Sequence, residues 1–123
     1  MQTKTLCLAL GLAAIGLPAL AQQGGVSKFD GRWSVEVITE KGDCDRAYRY
    51  AVAIDNGQVR YAGSESFQVS GRVQPSGAVQ GSIGRGGDQV TVTGRLEGSN
   101  GGGTWKAAGN TQCSGRWNAE KRG

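Results

Sequence analysis

Histidine is absent from all 123 residues. Without it neither a Ser-His-Asp nor a Cys-His arrangement can be assembled, and a mixed cysteine-histidine zinc site is excluded as well. Methionine occurs once, as Met1, and cysteine three times, as Cys7, Cys44 and Cys113. Proline is down to Pro18 and Pro75. Beyond the first 21 residues there is no apolar run long enough to lodge in a membrane and no stretch with helical periodicity.

The beginning of the chain reads as a secretory signal peptide over residues 1–21. Lys4 supplies a positive start, Leu6 to Leu17 an apolar run too short to span a bilayer, and Ala19-Leu20-Ala21 a small-x-small cleavage site. Cleavage after Ala21 removes Cys7 and leaves about 100 residues, enough for one modest core. A polar leader, 22–28, precedes a single domain, 29–123. Two cysteines in an exported domain read as one disulfide, Cys44 to Cys113, in a secreted or periplasmic protein. Loss of Lys4 leaves 13 basic against 10 acidic residues, spaced singly, which is no nucleic-acid footprint.

Glycine is plentiful, at 22 residues, and it recurs in a pattern: Gly31-Arg32-Trp33, Gly71-Arg72-Val73, Gly94-Arg95-Leu96 and Gly115-Arg116-Trp117. Side chains alternate across a strand, so glycine and the apolar residue share one face and the arginine takes the other. An inner-face glycine lets a neighbouring strand or a large ring approach closely. Alternation marks strands at Arg32 to Thr39, Tyr48 to Ile54, Val59 to Ala62, Phe67 to Val73, Val79 to Ile83, Val90 to Leu96, a short one at Thr104 to Lys106, and Gln112 to Ala119. Asp55-Asn56-Gly57 and Gln74-Pro75-Ser76-Gly77 are turns, and Glu97 to Gly102 reads as a mobile glycine-rich loop.

Eight short strands with hairpin-length connections predict an all-β, antiparallel up-and-down meander. The disulfide would tie its two ends together, and closure would remove both edge strands, so a closed barrel is preferred to an open sandwich.

Candidates for chemistry are few. Asp43 and Asp45 flank Cys44 and could share a face, but they supply too few oxygens for a calcium loop and read as a solvated turn. Gly84 to Gly87 and Gly98 to Gly103 lack the Lys-Ser/Thr and the helix of a phosphate loop. The aromatic residues carry more. Trp33, Trp105 and Trp117 each follow a glycine by two places, so all three point inward, as do Tyr48 and Tyr50. They could line the mouth of a barrel and hold a small apolar or planar ligand, or simply fill the core. Core filling is preferred, because an eight-stranded barrel is just wide enough for its own side chains. Trp105, on the shortest strand beside the glycine loop, is expected to tolerate removal best. Outward Arg72, Arg95 and Arg116 could form a row for an acidic partner, or each could be solvated separately.

The path from Phe29-Asp30-Gly31-Arg32-Trp33 through Gly42-Asp43-Cys44-Asp45 and Tyr48-Arg49-Tyr50 to Cys113-Ser114-Gly115-Arg116-Trp117-Asn118-Ala119-Glu120 resembles small exported alphaproteobacterial proteins without a settled activity. Some of them carry names mentioning haem utilisation or adhesion. The Gly-x-Trp of the first strand is also similar to the opening of lipocalins, avidins and bacterial metalloprotease inhibitors, all small barrels that bind something. The resemblance implies a binding module. The residues imply a non-enzymatic, exported one with no cofactor and no metal, its partner a small apolar or planar ligand or a component of the envelope or medium. An adhesion-type surface protein and a carboxylate-based hydrolase are the alternatives.

Haem would find only a tyrosine, Tyr48, Tyr50 or Tyr61, as an orthodox axial ligand. Titration of haemin into the protein is therefore expected to give no sharp, saturable Soret shift. A tight one-to-one complex abolished by one Tyr→Phe change would overturn this.

Overall fold

The computed structural model describes residues 25, 27–64 and 67–123, with no side-chain description for Arg85. The expected signal peptide, Cys7 and most of the leader lie outside the described residues. Eight strands follow in order: β1 (Gly31–Lys41), β2 (Ala47–Asp55), β3 (Gln58–Tyr61), β4 (Gln68–Val73), β5 (Ala78–Arg85), β6 (Asp88–Glu97), β7 (Asn100–Gly109) and β8 (Ser114–Lys121). They form a closed barrel in sequence order, every neighbouring pair antiparallel. Closure comes from β1 against β8, running from Trp33 opposite Lys121 through Val37 opposite Trp117 to Thr39 opposite Gly115, with a register shift between Thr39 and Lys41. The barrel, not the open sandwich, is the fold.

The two ends of the barrel are built differently. At one end lie the β2–β3, β4–β5 and β6–β7 turns. Asn56 and Gly57 make the first of these with φ of 54° and 77°, the left-handed pair that a two-residue hairpin requires. Asp30 seals this end from below: its carboxylate accepts hydrogen bonds from the Asn56 and Gly57 amides at 2.7 and 3.1 Å. Phe29 is buried beside it, and its carbonyl accepts the Trp33 Nε1 hydrogen bond at 2.9 Å. Ile54, Val73, Leu96 and Ala119 complete an apolar plug.

At the opposite end the β1–β2 and β7–β8 loops are joined by the Cys44–Cys113 disulfide, with Cα atoms 6.2 Å apart. Asp88 reinforces that rim, accepting from the Thr111 amide at 2.8 Å and from its hydroxyl at 3.2 Å. The wall is uneven. Eight register pairs join β1 to β2, whereas among the described residues β3 and β4 share two, Gln58 opposite Arg72 and Val59 opposite Gly71, with the Val73 amide also donating to the Gly57 carbonyl at 2.7 Å.

One expectation fails. The glycine stretch Glu97 to Gly102 is not a loop, and β7 is not short: Glu97 pairs with Asn100 across Gly98 and Ser99, and the strand runs ten residues. Glycine propensity points to a loop, but here the glycines are required in the sheet. A methyl on Gly103 would strike β6 at Gly94 Cα, 2.6 Å away, and one on Gly101 would strike the Arg95 carbonyl oxygen at 2.7 Å. β7 lies so close to β6 that only glycine fits, and this close approach outweighs propensity.

Residues Arg32, Arg72, Arg95 and Arg116 are exposed, as the alternation predicts. Outer-face ion pairs such as Arg49–Glu36 at 3.6 Å and Arg122–Glu120 at 3.2 Å are solvent-screened and contribute about 0–1 kcal/mol each. The disulfide matters more. It closes a loop spanning a sequence separation of 69, for which chain entropy gives an upper figure of about 4 kcal/mol. Reduction is expected to lower the melting temperature markedly, and an unchanged melting curve after complete reduction would contradict that role.

Candidate functional site: the barrel lumen

The lumen holds a cavity of about 670 Å³. It extends from the plug residues Trp33, Ile54, Val73 and Leu96 to the rim at Asp43, Asp45, Gly86 and Thr111. The tryptophans are core residues, as expected, yet the side chains do not fill the whole lumen, and the cause lies in two sets of residues.

The first set is small. Inward positions of β3 to β6 include Val59, Val69, Gly71, Val73, Val79, Gly81, Val90, Val92 and Gly94, all short, with Tyr61, Ile83 and Leu96 the larger ones. The second set is large but lies flat. Trp117 on β8 donates from Nε1 to the Thr93 carbonyl of β6 at 3.0 Å, and its ring passes over Gly103 and Gly94 on the way. A methyl on Gly94 would sit 2.6 Å from Trp117 Cζ2. Trp105 on β7 reaches the other way, across its register partner Gly115, and its Nε1 is shared between the Ile38 carbonyl at 3.1 Å and the Arg116 carbonyl at 3.2 Å. A buried indole N–H needs an acceptor, and where the acceptor lies in the sheet the ring must follow the wall. The tryptophans thus upholster one side of the lumen instead of crossing it.

All three indoles are nonetheless core residues as well as lining: Trp33 is 2% exposed, Trp117 5% and Trp105 6%. Trp105 sits in the middle of a long strand, doubly anchored, and its expected tolerance to removal does not follow from this placement.

Tyr48 and Tyr50 are placed differently. Both are half-buried on β2 towards the disulfide end, with ring centroids 5.8 Å apart. Tyr61 and Phe67 join them: Tyr50 meets Tyr61 at 6.3 Å and Phe67 edge-on at 5.5 Å, and Tyr61 meets Phe67 at 5.1 Å. Four rings therefore line the mouth on the β2 to β4 side, in the offset and edge-to-face arrangements that aromatic quadrupoles favour. Sequence reasoning missed Phe67 and the valine-glycine wall as site residues. The signal for the wall was present in the Val-x-Gly-x-Val alternation of Val69 to Val73 and the Val79, Gly81 and Ile83 positions of β5.

The three arginines are not gathered. Arg72 and Arg116 share one line of register through Gln80, Thr93 and Thr104, but four strand spacings of about 4.8 Å separate them. Arg95 lies off that line, two residues along β6 from Thr93; its Nη1 donates to the Ser76 carbonyl at 3.2 Å, and Arg116 pairs with Glu40 at 3.8 Å. Asp43 and Asp45 flank the disulfide at the rim and line the cavity mouth. Among the described residues no cluster of acidic or cysteine side chains is able to hold a metal, and no polar or charged residue is buried.

Compared with protein-family models, curated proteins and solved structures, the chain matches none of them.

Removing any one indole takes away a large buried ring and the hydrogen bond its Nε1 donates to a backbone carbonyl. Trp33→Ala, Trp105→Ala and Trp117→Ala are each expected to cost about 3–5 kcal/mol in urea unfolding. A Trp105→Ala protein as stable as the parent would contradict its anchored placement.

Proposed function

We propose that this is an exported, non-enzymatic binding protein that holds a small apolar molecule in the lumen of its barrel, in the periplasm or the medium. The cavity carries the reading. Its volume of about 670 Å³ falls in the range of roughly 300–1,000 Å³ typical of ligand pockets. Its walls are valine, isoleucine, tryptophan and glycine, and its mouth is framed by aromatic rings. Apolar ligand surface buried there contributes about 2.5 kcal/mol per 100 Å².

Two further observations support it. The outer face carries Arg, Glu, Gln and Thr while the lumen is apolar, the reverse of a membrane-spanning porin wall. The separation of Arg72, Arg95 and Arg116 gives the adhesion-type alternative little to stand on. The hydrolase alternative lacks a buried carboxylate among the described residues, and burial is the usual means of raising a catalytic acid's pKa.

Titration of the purified protein with N-phenylnaphthylamine is expected to give a saturable, one-to-one fluorescence increase, abolished by Val79→Phe, which projects a ring into the lumen. A linear, unsaturable response, or an equal response from a Val79→Phe protein that is folded, would remove the proposal.

A further inference from the structure

Inward glycines face each other across neighbouring strands at two places in this barrel. Gly94 on β6 is opposite Gly103 on β7, and Gly71 on β4 is opposite Gly81 on β5. The first pair is roofed by the protein itself, for the Trp117 ring lies on it. The second pair has no ring among the described atoms nearest to it. The atoms nearest to a methyl built on Gly71 are the Gln80 carbonyl oxygen and Val59 Cβ at 3.3 Å and Gly81 Cα at 3.4 Å, and those nearest to one built on Gly81 are the Ser70 carbonyl oxygen at 3.1 Å and Gly71 Cα at 3.4 Å. Apart from Val59 at its edge, all of these atoms are backbone. Both glycines line the 670 Å³ cavity.

The two places are alike in plan. One register line runs Val79, Gly94, Gly103, Trp117; the other runs Val59, Gly71, Gly81, Val92. In each, two glycines expose a flat strip of backbone between larger side chains. In the first line the strip is covered by a fused aromatic ring belonging to Trp117, and in the second it faces open lumen. Neither Gly71 nor Gly81 has a positive φ, so backbone conformation does not demand glycine at either position. What glycine supplies there is a bare floor. Val59 and Val92 are three strand spacings of about 4.8 Å apart, which inside their methyl groups leaves room for one or two fused rings. Tyr61 lies two residues from Val59 towards the mouth, so the floor continues upward into the aromatic rim.

We infer that the ligand carries a flat aromatic system of one or two fused rings, which lies on the Gly71–Gly81 floor between Val59 and Val92, as the indole of Trp117 lies on Gly94 and Gly103. The inference rests on the lumen being a binding site and adds the shape of what enters it. A puckered or branched hydrocarbon of equal carbon number cannot approach the bare backbone over both glycines at once. A planar ring touches it along its whole face, gaining dispersion contacts that the puckered one forfeits.

Naphthalene and decalin separate the two ideas, because they have the same carbon skeleton and differ in planarity. Decalin is the more hydrophobic, so apolarity alone favours it. Calorimetric titration is expected to show naphthalene bound more tightly than decalin by the parent protein. Gly71→Ala and Gly81→Ala each place a methyl on the floor and are expected to weaken naphthalene at least about tenfold, the effect of one misplaced methyl in a fitted pocket, while decalin changes far less. Near-UV circular dichroism matching the parent shows that each variant is folded; if one variant fails to fold, the other carries the test, and the parent's preference decides without either. Equal or stronger binding of decalin, or alanine variants that weaken both hydrocarbons alike, would overturn the planar floor while leaving an apolar lumen site in place. Binding of neither hydrocarbon by the parent would overturn both.

Discussion

The hydrogen bonds from the Trp117 and Trp105 indoles to carbonyls of the barrel wall govern much of the rest of this structure. A tryptophan that bonds to the sheet must lie along it, and a ring lying along a sheet needs strands without Cβ atoms beneath it. This is why Gly94 and Gly103 stand under one indole and why Gly115 is the register partner of the other. The same geometry decides how full the barrel is. Indoles pointing at the axis would meet in the middle, but indoles held flat leave the middle open, and the valines opposite are too short to reach it. The cavity is thus a by-product of where two N–H groups find acceptors.

The four Gly-Arg-apolar repeats look alike in sequence but do different work. Gly31 has a φ of 137° and lies against the carbonyl of Gly123, which accepts from the Arg32 amide at 2.9 Å while the Arg32 carbonyl accepts from the Arg122 amide at 2.6 Å. Gly71 floors the open lumen, Gly94 lies beneath an indole, and Gly115 is pressed against the backbone of β1 at Ile38, where the closing register shifts. A repeat of this kind reports which way a strand faces, and what each glycine admits depends on neighbours far away in the chain.

That distinction explains what could be read from the sequence. Alternation over Trp33 to Val37 and Tyr48 to Ile54 gives strand direction and the inner face, Asn56-Gly57 gives its hairpin, and the two cysteines beyond residue 21 give the bridge; all are local or compositional, and the fold followed from them. The length of β7 did not, because Gly101 to Gly103 have loop propensity and are kept in the sheet only by the closeness of β6. Parity placed Trp33, Trp105 and Trp117 inside correctly, yet could not say whether they cross the lumen or follow its wall, since that depends on carbonyls of Ile38, Arg116 and Thr93 on other strands. Phe67 escaped as a rim residue because its partners Tyr50 and Tyr61 come from two other strands.

The thin junction between β3 and β4 has a bearing on how the protein moves. With two register pairs among the described residues, it has the fewest of any strand junction, while the plug at Phe29 and Trp33 and the cross-linked rim at Cys44 and Cys113 hold the remainder of the cylinder together. Sub-global opening is therefore expected here first, with amide exchange along β3 and the start of β4 ahead of exchange in β1 and β8. A cylinder that opened at one seam would admit solvent sideways, at the level of the mouth tyrosines, without giving up its closed circumference elsewhere.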